Sequence, residues 1–389
     1  MSLPLNAPLR ASVTSIERQQ ILAVAEVGLG DPSVIPMWYG ESDIPTPSFI
    51  CDVVGQQLSK GDTFYTHKRG TDSLRTALKT YLDDLYSIDV DVDRLTVTSS
   101  GMTAIMLCLQ CIIDAGDNGI VVNPVWPNAQ SAIRSLGGQA RFASLSSDQG
   151  VWSLDLNRIF DQCDERTKVI FVNSPNNPTG WIMPDEQIVE LLSFCRDRGI
   201  WLISDEVYHR MVYTGRAAPS FLTHARDDDP VLVINSFSKA WAMTGWRIGW
   251  LVHPAGLGDI LGNMIEFNYS CVPPFLQEAA VTALREGEGF VAEMVDYCRR
   301  GRDIVTQSFT SIPQILDYSP PTASFYGFFR IEGQSDTLPF AQNLVREAKI
   351  GIAPGTAFGP GAEDWYRICF AQKPDTLTEA MDRLRKALN

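Results

Sequence analysis

One lysine of this 389-residue chain lies where its neighbours predict protein interior. Lys239 sits within residues 234–250, a run composed mostly of apolar and small side chains. Burying an ammonium group is costly unless the group is paired or loses its charge. A lysine that is driven toward the neutral amine is a nucleophile, suited to a Schiff base with a carbonyl compound. Lys239 is therefore the first candidate for catalysis.

Other chemically capable residues also follow predicted strands. Five consecutive strand ends are each followed by such residues. In chain order these are the turn of Ser100 and Gly101, the indole of Trp126, the amide of Asn177, the carboxyl of Asp205 with the phenol of Tyr208, and Ser236 with Lys239. Taken alone, each has an ordinary explanation as a helix cap, a turn or core packing. Ligands of doubly wound sheets bind outside the carboxyl ends of the strands, so the five together predict one binding site.

The elements that must position these residues form an α/β pattern. The candidate strands are Arg94–Thr98, Gly119–Asn123, Gln139–Ala143, Lys168–Val172, Ile200–Ser204, Val231–Asn235 and Arg247–Val252. Helical patterns separate several of them, over Met102–Asp114, Asn128–Leu136 and Asp185–Arg198. Strands joined through helices predict a mostly parallel seven-stranded sheet flanked by helices. We assign residues 45–285 to this large domain.

The pattern changes after residue 285. Amphipathic helices predicted over Phe290–Phe309 and Thr376–Leu388 flank two strand candidates, Ser324–Ile331 and Trp365–Phe370. We expect a smaller α+β domain composed of residues 286–389 and completed by residues 1–44.

The predicted constellation matches the needs of pyridoxal phosphate. The aldehyde of this cofactor requires a lysine, and its ring nitrogen requires an acid that holds the nitrogen's proton. A helix N-terminus with hydroxyl and guanidinium support suits its phosphate, and an aromatic face suits its ring. Lys239 would bind the aldehyde and Asp205 would hold the ring proton. The phosphate would be met by Ser100, Gly101, Ser236 and Arg247. Trp126 would cover the ring face, and Asn177 with Tyr208 would contact the ring hydroxyl.

These motifs resemble those of the class I and II pyridoxal-phosphate-dependent aminotransferases, which have the aspartate aminotransferase fold. Residues 236–249 fit the lysine signature of that family at every restricted position. Asn-Pro-Thr-Gly at 177–180 and Asp-Glu-Val-Tyr at 205–208 add independent support. The resemblance extends over nearly the whole chain, from Tyr39 to Ala371.

The resemblance implies further roles and a reaction. Lys239 would bind the cofactor and move protons, and Met102 would join the residues around the phosphate. Arg367 would hold the substrate α-carboxylate, with Gly40 and Asn177 nearby. Tyr65 would reach the phosphate of a neighbouring subunit, so a homodimer with shared active sites is expected. The implied activity is ping-pong amino transfer between an L-amino acid and a 2-oxo acid.

Met102 bears on the choice of substrate. Some aspartate-using relatives place a lysine at this position, after the glycine of the phosphate turn, where it recognises a distal carboxylate. A thioether cannot pair with a carboxylate, which argues against an acidic side chain. The aromatic residues expected near the site are Tyr39, Trp126, Tyr213 and Phe275. We therefore predict an apolar or aromatic substrate.

Composition limits the partners of the protein. A formal charge of −14 disfavours nucleic acid and anionic membranes as partners. Residues 1–8 lack the pattern of a signal peptide, and no apolar run is long enough to span a membrane, so we expect a cytoplasmic protein. Cys108 and Cys111 have no second pair at zinc-site spacing, and no metal is predicted.

An α/β chain of this kind could also have one of three other functions. A pyridoxal-phosphate-dependent carbon–sulfur β-lyase, or a related eliminating enzyme of the same fold, would keep the same cofactor-binding residues, so the sequence separates such an enzyme poorly from a transaminase. A non-catalytic regulator is not expected, because neither end of the chain has the length or basic charge of a DNA-binding segment. A nicotinamide-dependent dehydrogenase lacks support, because no Gly-x-Gly-x-x-Gly follows a predicted strand.

Overall fold

A computed structural model describes residues 8–389 of the chain. Residues 1–7 lie outside the described residues. They belong to the predicted small domain and to the segment that lacks the pattern of a signal peptide.

The described residues contain thirteen α-helices and fifteen strands. The helices are α1 Ala11–Thr14, α2 Gln20–Gly28, α3 Ser48–Ser59, α4 Asp72–Tyr86, α5 Gly101–Ile112, α6 Asn128–Ser135, α7 Asn157–Phe160, α8 Asp185–Arg198, α9 Gly258–Asn268, α10 Pro274–Glu286, α11 Glu288–Phe309, α12 Thr337–Asn343 and α13 Pro374–Leu388. The strands are β1 Ile35–Pro36, β2 Leu95–Thr98, β3 Asn118–Asn123, β4 Gln139–Ser144, β5 Ser146–Asp148, β6 Val151–Ser153, β7 Thr167–Asn173, β8 Trp201–Asp205, β9 Val231–Ser236, β10 Gly249–Val252, β11 Ile315–Leu316, β12 Tyr326–Ile331, β13 Ile350–Gly351, β14 Ala353–Pro354 and β15 Trp365–Cys369.

The central sheet has seven strands in the order β2-β10-β9-β8-β7-β3-β4. Strand β10 runs antiparallel to both of its neighbours, and the remaining pairings are parallel. All seven predicted strands are present, and the mostly parallel α/β fold is confirmed. The last strand begins two residues later than predicted, because Arg247 adopts a left-handed conformation with φ 55° after a 3₁₀ turn at Thr244–Trp246.

Hydrophobic residues cover both faces of this sheet, and a separate core forms around a smaller antiparallel sheet of order β11-β12-β15-β14. The separate core combines residues of α2, β12, β15 and α13, together with Tyr208 and Met211 from the segment after β8. The predicted helices and strands of the last hundred residues are therefore present. The proposed division of the chain after residues 44 and 285 stays a prediction.

No helix of the described chain is long and apolar enough to cross a membrane.

Candidate active site

The carboxyl ends of β3, β7, β8 and β9 open onto a pocket of about 400 Å³. Residues from all five of the strand ends singled out in the sequence line this pocket, and residues of the small sheet close its other side. Among the predicted site residues, the lining includes Gly40, Gly101, Met102, Trp126, Asn177, Asp205, Tyr208, Ser236, Lys239, Arg247 and Arg367. The topology thus brings together side chains that are more than 300 positions apart in the sequence.

Lys239 follows β9 in the turn that leads to β10, and its amine faces the pocket. The Nζ atom donates a hydrogen bond to the carbonyl oxygen of Gly40 at 2.5 Å. It lies 5.8 Å from the ring centre of Tyr208 and 6.0 Å from that of Phe325. Apolar surroundings of this kind penalise the ammonium form, and they lower the pKa of Lys239 to about 8. A substantial share of neutral amine is therefore available at physiological pH.

Asp205 ends β8 with its side chain in the same pocket. Its Oδ1 atom accepts a hydrogen bond from the Val207 N–H at 3.3 Å. Burial raises the pKa of Asp205 to about 7, although that hydrogen bond and the charge of Lys239 favour the carboxylate. A cationic group bound opposite this carboxyl would stabilise its charged form.

The raised pKa of Asp205 leads to a prediction about the cofactor-free protein. Between pH 4 and about 7 the folded protein retains a proton that the unfolded chain has released, so ionisation of Asp205 weakens folding as pH rises through this window. Asn at this position cannot titrate. The free energy of unfolding of Asp205→Asn, relative to the unmodified protein, should therefore rise by about 2–4 kcal/mol across the window. Urea denaturation at a series of pH values measures this difference, and parallel curves would contradict the prediction.

One end of the pocket is formed by the N-terminus of α5, the end of β9 and Arg247. Ser236 Oγ lies 2.8 Å from Ser238 Oγ, which also lines the pocket although the sequence analysis did not select it. A Cβ atom at Gly249 would stand 2.9 Å from the Gly101 nitrogen, so glycine is needed for β10 to pass behind the helix start. The exposed amides of a helix start favour an anion at this point.

Arg367, on β15, is only 2% exposed and contacts neutral groups in place of an acid. Its Nη1 donates to Asn177 Oδ1 at 3.0 Å, and its Nη2 donates to the Trp38 carbonyl. Within residues 8–389 its guanidinium has no carboxylate partner, and its Nε has no hydrogen-bond partner. A buried cation without a counter-ion is unfavourable unless a ligand supplies the charge. Arg367 is therefore arranged to receive an anion.

Two predicted residues do not line the pocket. Ser100 uses its hydroxyl oxygen to cap α5, where it accepts the Thr103 N–H at 2.9 Å. Tyr65 is 88% exposed, on the loop before α4, and it does not line the pocket of its own chain. Two aromatic residues expected near the site, Tyr213 and Phe275, also lie outside the lining.

The structure adds residues that the sequence analysis missed. Asn173 ends β7, accepts the Asn177 N–H at 2.8 Å and donates to the Asp205 carbonyl at 2.9 Å. Asn173 and Ser238 stand at strand ends already singled out, so the strand-end rule was sufficient to find both. Tyr326, Trp38 and the segment Gln19–Leu22 enter from the small sheet and the N-terminal region, where no local pattern marked them.

These features fit pyridoxal phosphate. The pocket presents an amine of lowered pKa, a buried carboxyl and a half-buried indole, together with a helix N-terminus. A lysine and an acid placed at one pocket are what this cofactor demands of a protein. Fold and site together define a pyridoxal-phosphate enzyme of the aspartate aminotransferase fold.

Comparisons with known proteins place the chain within that class. Residues 39–384 match the family described as aminotransferase class I and II. A protein of Aquifex aeolicus named probable aspartate/prephenate aminotransferase is 32% identical over 365 residues, which cover 91% of each chain. A protein of Methanocaldococcus jannaschii named probable aspartate aminotransferase is 30% identical over 372 residues, covering 94% of this chain and 96% of that protein.

Solved structures agree with the sequence relatives. The crystal structure of aspartate aminotransferase from Thermotoga maritima superimposes with a TM-score of 0.90 at 29% identity, covering 98% of this chain and all of that one. The chain belongs to the aminotransferase class I and II family, whose enzymes depend on pyridoxal phosphate. The relatives are named as transaminases, which does not favour the β-lyase alternative.

Proposed function

We propose that this pocket transfers an amino group from an L-amino acid to a 2-oxo acid in a ping-pong sequence. The observation that carries the proposal is Arg367, a buried guanidinium without an acidic partner in the described chain, in the pocket that also contains Lys239 and Asp205. A bidentate guanidinium grips a carboxylate in a fixed orientation, which would present the α-carbon of an amino acid to Lys239.

Each residue has a proposed part in the chemistry. Pyridoxal phosphate supplies an aldehyde that binds amines and a ring that takes up electrons. Lys239 would remove the proton from the substrate α-carbon and return one at the neighbouring cofactor carbon, and its pKa of about 8 suits a group that alternates between base and acid. Asp205 would hold the proton on the ring nitrogen. Asn177 and Tyr208 would hydrogen-bond the phenolic oxygen, and Trp126 would cover the ring face.

The phosphate would be held where the protein provides donors. We assign this role to Gly101 and Met102 at the start of α5, to Ser236 and to Arg247, and we add Ser238 on its position in the lining. Ser100 would act from behind the helix start as its cap, and Tyr65 would act from a second subunit.

We also propose that the substrate side chain is apolar or aromatic. Within residues 8–389, the cationic side chains that line the pocket are Lys239, Arg247 and Arg367, and each already has a proposed part. The lining also includes the apolar side chains of Met102, Ile21, Leu22 and Ile105. Among the cationic side chains that residues 8–389 bring to the lining, none is therefore left over for a distal carboxylate.

A donor panel tests both proposals. Single amino acids are mixed with the holoenzyme, the loss of the cofactor's absorbance band is followed, and 2-oxoglutarate is then added. We expect apolar or aromatic donors to react fastest, and amino transfer to depend on the added 2-oxo acid. Exclusive turnover of aspartate would overturn the substrate assignment. Pyruvate and ammonia released from cystathionine without an acceptor would overturn amino transfer.

Met102→Lys should shift this preference. A new ammonium group beside the α5 helix start can pair with a distal carboxylate, and hydrogen bonds to charged groups contribute about 1.5–3 kcal/mol. We therefore expect kcat/KM for aspartate, relative to the best apolar donor, to rise about 10-fold or more. Met102→Gln has a similar length without the charge, and it should leave the ratio nearly unchanged. An equal ratio in the two variants would place Met102 away from the substrate side chain.

A homodimer with shared active sites is proposed as the working assembly. Tyr65 and its neighbour Phe64 are 88% and 80% exposed, and Phe267 on α9 is 83% exposed. Hydrogen bonds tie the Tyr65 loop to α9, including Lys68 Nζ to Asn263 Oδ1 at 2.8 Å. Exposed aromatic side chains on linked elements are typical of a protein–protein interface.

The cytoplasm stays the proposed location of the protein.

A further inference from the structure

Tyr326 lies where three parts of the candidate active site meet. It starts β12 in the small sheet, opposite Cys369 of β15, and its side chain is 1% exposed. Its hydroxyl oxygen stands 2.6 Å from that of Tyr208. Among residues 8–389, the Tyr326 hydroxyl makes no other hydrogen bond. The two phenols therefore depend on each other for a hydrogen-bond partner on the protein side.

The ring of Tyr326 supports the arginine that is arranged to receive an anion. The guanidinium carbon of Arg367 lies 4.5 Å from the Tyr326 ring centre, closer than its 5.1 Å distance to Phe358. Stacking on an aromatic face suits the planar guanidinium and leaves its edge free for hydrogen bonds. Tyr326 thereby limits the tilt of Arg367.

The hydroxyl of Tyr326 also explains Gly40. A Cβ atom at residue 40 would stand 2.0 Å from the Tyr326 hydroxyl oxygen, so any other residue would displace it. The carbonyl oxygen of Gly40 accepts the hydrogen bond of Lys239. The Tyr326 side chain thus contacts three groups: the Gly40 backbone, which accepts the hydrogen bond of Lys239, the Tyr208 phenol, and the Arg367 guanidinium.

Counting hydrogens shows which of the two hydroxyls can donate the hydrogen bond between them. Two neutral phenols in contact share one hydrogen, so one donates and the other accepts. Burial raises the pKa of both Tyr208 and Tyr326, which keeps both hydroxyls protonated through the working range of pH. If Tyr208 donates its own hydrogen to a ligand, its oxygen can accept the hydrogen of Tyr326. Accepting that hydrogen makes Tyr208 a stronger donor.

We propose that Tyr326 is a positioning residue, whose hydroxyl orients the Tyr208 hydroxyl toward the cofactor's phenolic oxygen and whose ring holds Arg367 in place for the substrate carboxylate. The inference rests on the proposed function. It gives one side chain two separable tasks, since the hydroxyl acts on the cofactor end and the ring acts on the substrate end.

Tyr326→Phe removes the hydroxyl and keeps the ring. A weaker Tyr208 donor leaves the phenolic oxygen more basic, so the pH midpoint of the bound cofactor's absorbance should rise by about 0.3 to 1 pH unit. For the same reason kcat should fall about 2- to 10-fold, while KM for the amino acid changes little. Tyr366→Phe is the matched control, because Tyr366 is a buried tyrosine of the same small sheet outside the pocket lining.

Two further variants separate the tasks. Tyr326→Leu removes the ring as well, and loss of its contact with Arg367 should raise KM about 2- to 30-fold. The double variant Tyr208→Phe with Tyr326→Phe should have the absorbance midpoint of Tyr208→Phe alone, because the Tyr326 hydroxyl acts through Tyr208.

The outcomes distinguish this inference from the proposed function. A midpoint in Tyr326→Phe equal to that of the unmodified enzyme, or additive shifts in the double variant, would overturn the inference while amino transfer by the unmodified enzyme stands. A midpoint shift of the same size in Tyr366→Phe would also overturn it, as a general effect of lost buried hydroxyls. If Tyr326→Phe does not fold, Tyr326→Leu still tests the contact with Arg367: a KM within 2-fold of the unmodified enzyme would overturn that part of the inference. If neither variant folds, Tyr326 has a structural role and the inference is overturned. Absence of any amino transfer by the unmodified holoenzyme would instead refute the proposed function.

Discussion

Replacing Lys239 with alanine is expected to lower kcat for amino transfer by roughly 10⁴-fold or more, because this one side chain is proposed to perform both the covalent and the proton-transfer work. The variant should also lose the covalent adduct that borohydride traps between the protein and its cofactor. The half-buried position of Lys239 at the strand-end pocket and its lowered pKa are the physical basis for this expectation. Single-turnover kinetics and peptide mapping after borohydride reduction measure the two effects.

Lys168→Ala serves as the control for the lysine prediction. Lys168 lies near the amino end of β7, where its Nζ donates a hydrogen bond to the Glu165 carbonyl at 3.2 Å, and it does not line the active-site pocket. Its removal should leave kcat within 2-fold. A Lys239→Ala protein that still formed a borohydride-stable adduct on the same peptide would overturn the central assignment.

Replacing Arg367 with glutamine is expected to lower kcat/KM for every amino acid donor by roughly 30- to 5000-fold, since truncating one partner of a buried, hydrogen-bonded charge pair costs about 2–5 kcal/mol. The loss should be smaller for a primary amine that lacks the carboxylate, because that donor never pairs with the guanidinium. Comparing an amino acid with its decarboxylated amine therefore isolates the contact. Arg367→Lys should also be impaired, because an ammonium group cannot form the bidentate pair.

Arg330→Gln provides a matched control on the same small sheet. Arg330 lies on β12 and pairs with Asp317 and Asp364, and its side chain is 39% exposed. Ion pairs of this kind contribute little to stability, and the residue does not line the pocket. We expect unchanged kinetics. Equal losses in kcat/KM for the amino acid and the amine in Arg367→Gln would show that Arg367 supports the fold and does not bind the carboxylate.

The sequence was sufficient for the central sheet because its physics is local. Strands such as β3 and β7 are buried along almost their whole length, so each appears as an uninterrupted apolar run between helical patterns. The antiparallel direction of β10 was not predictable in this way, because it depends on the short turn through Arg247 rather than on the apolar run itself.

The residues of the candidate site also differ in how far the sequence could predict them. Residues that follow parallel strands, such as Asp205 and Asn177, were placed at one edge by topology alone. Residues that reach the pocket from elsewhere, such as Tyr326 and Leu22, depend on how β12 and α2 pack at long range. Tyr213 shows the opposite error: an aromatic residue a few positions after Tyr208 points its hydroxyl to the Ser324 carbonyl and packs against Arg302 instead of lining the pocket.

The N-terminal segment has a practical consequence for handling the enzyme. Gln19, Ile21 and Leu22 form part of the pocket wall, and Arg10 fastens the preceding chain to the Ser135 carbonyl at the end of α6. An affinity tag or a surface linker at the amino end would therefore be attached to the segment that forms this part of the pocket wall. The carboxyl end, where α13 finishes at Leu388 without lining that pocket, is the safer point for attachment to a solid support in biocatalysis.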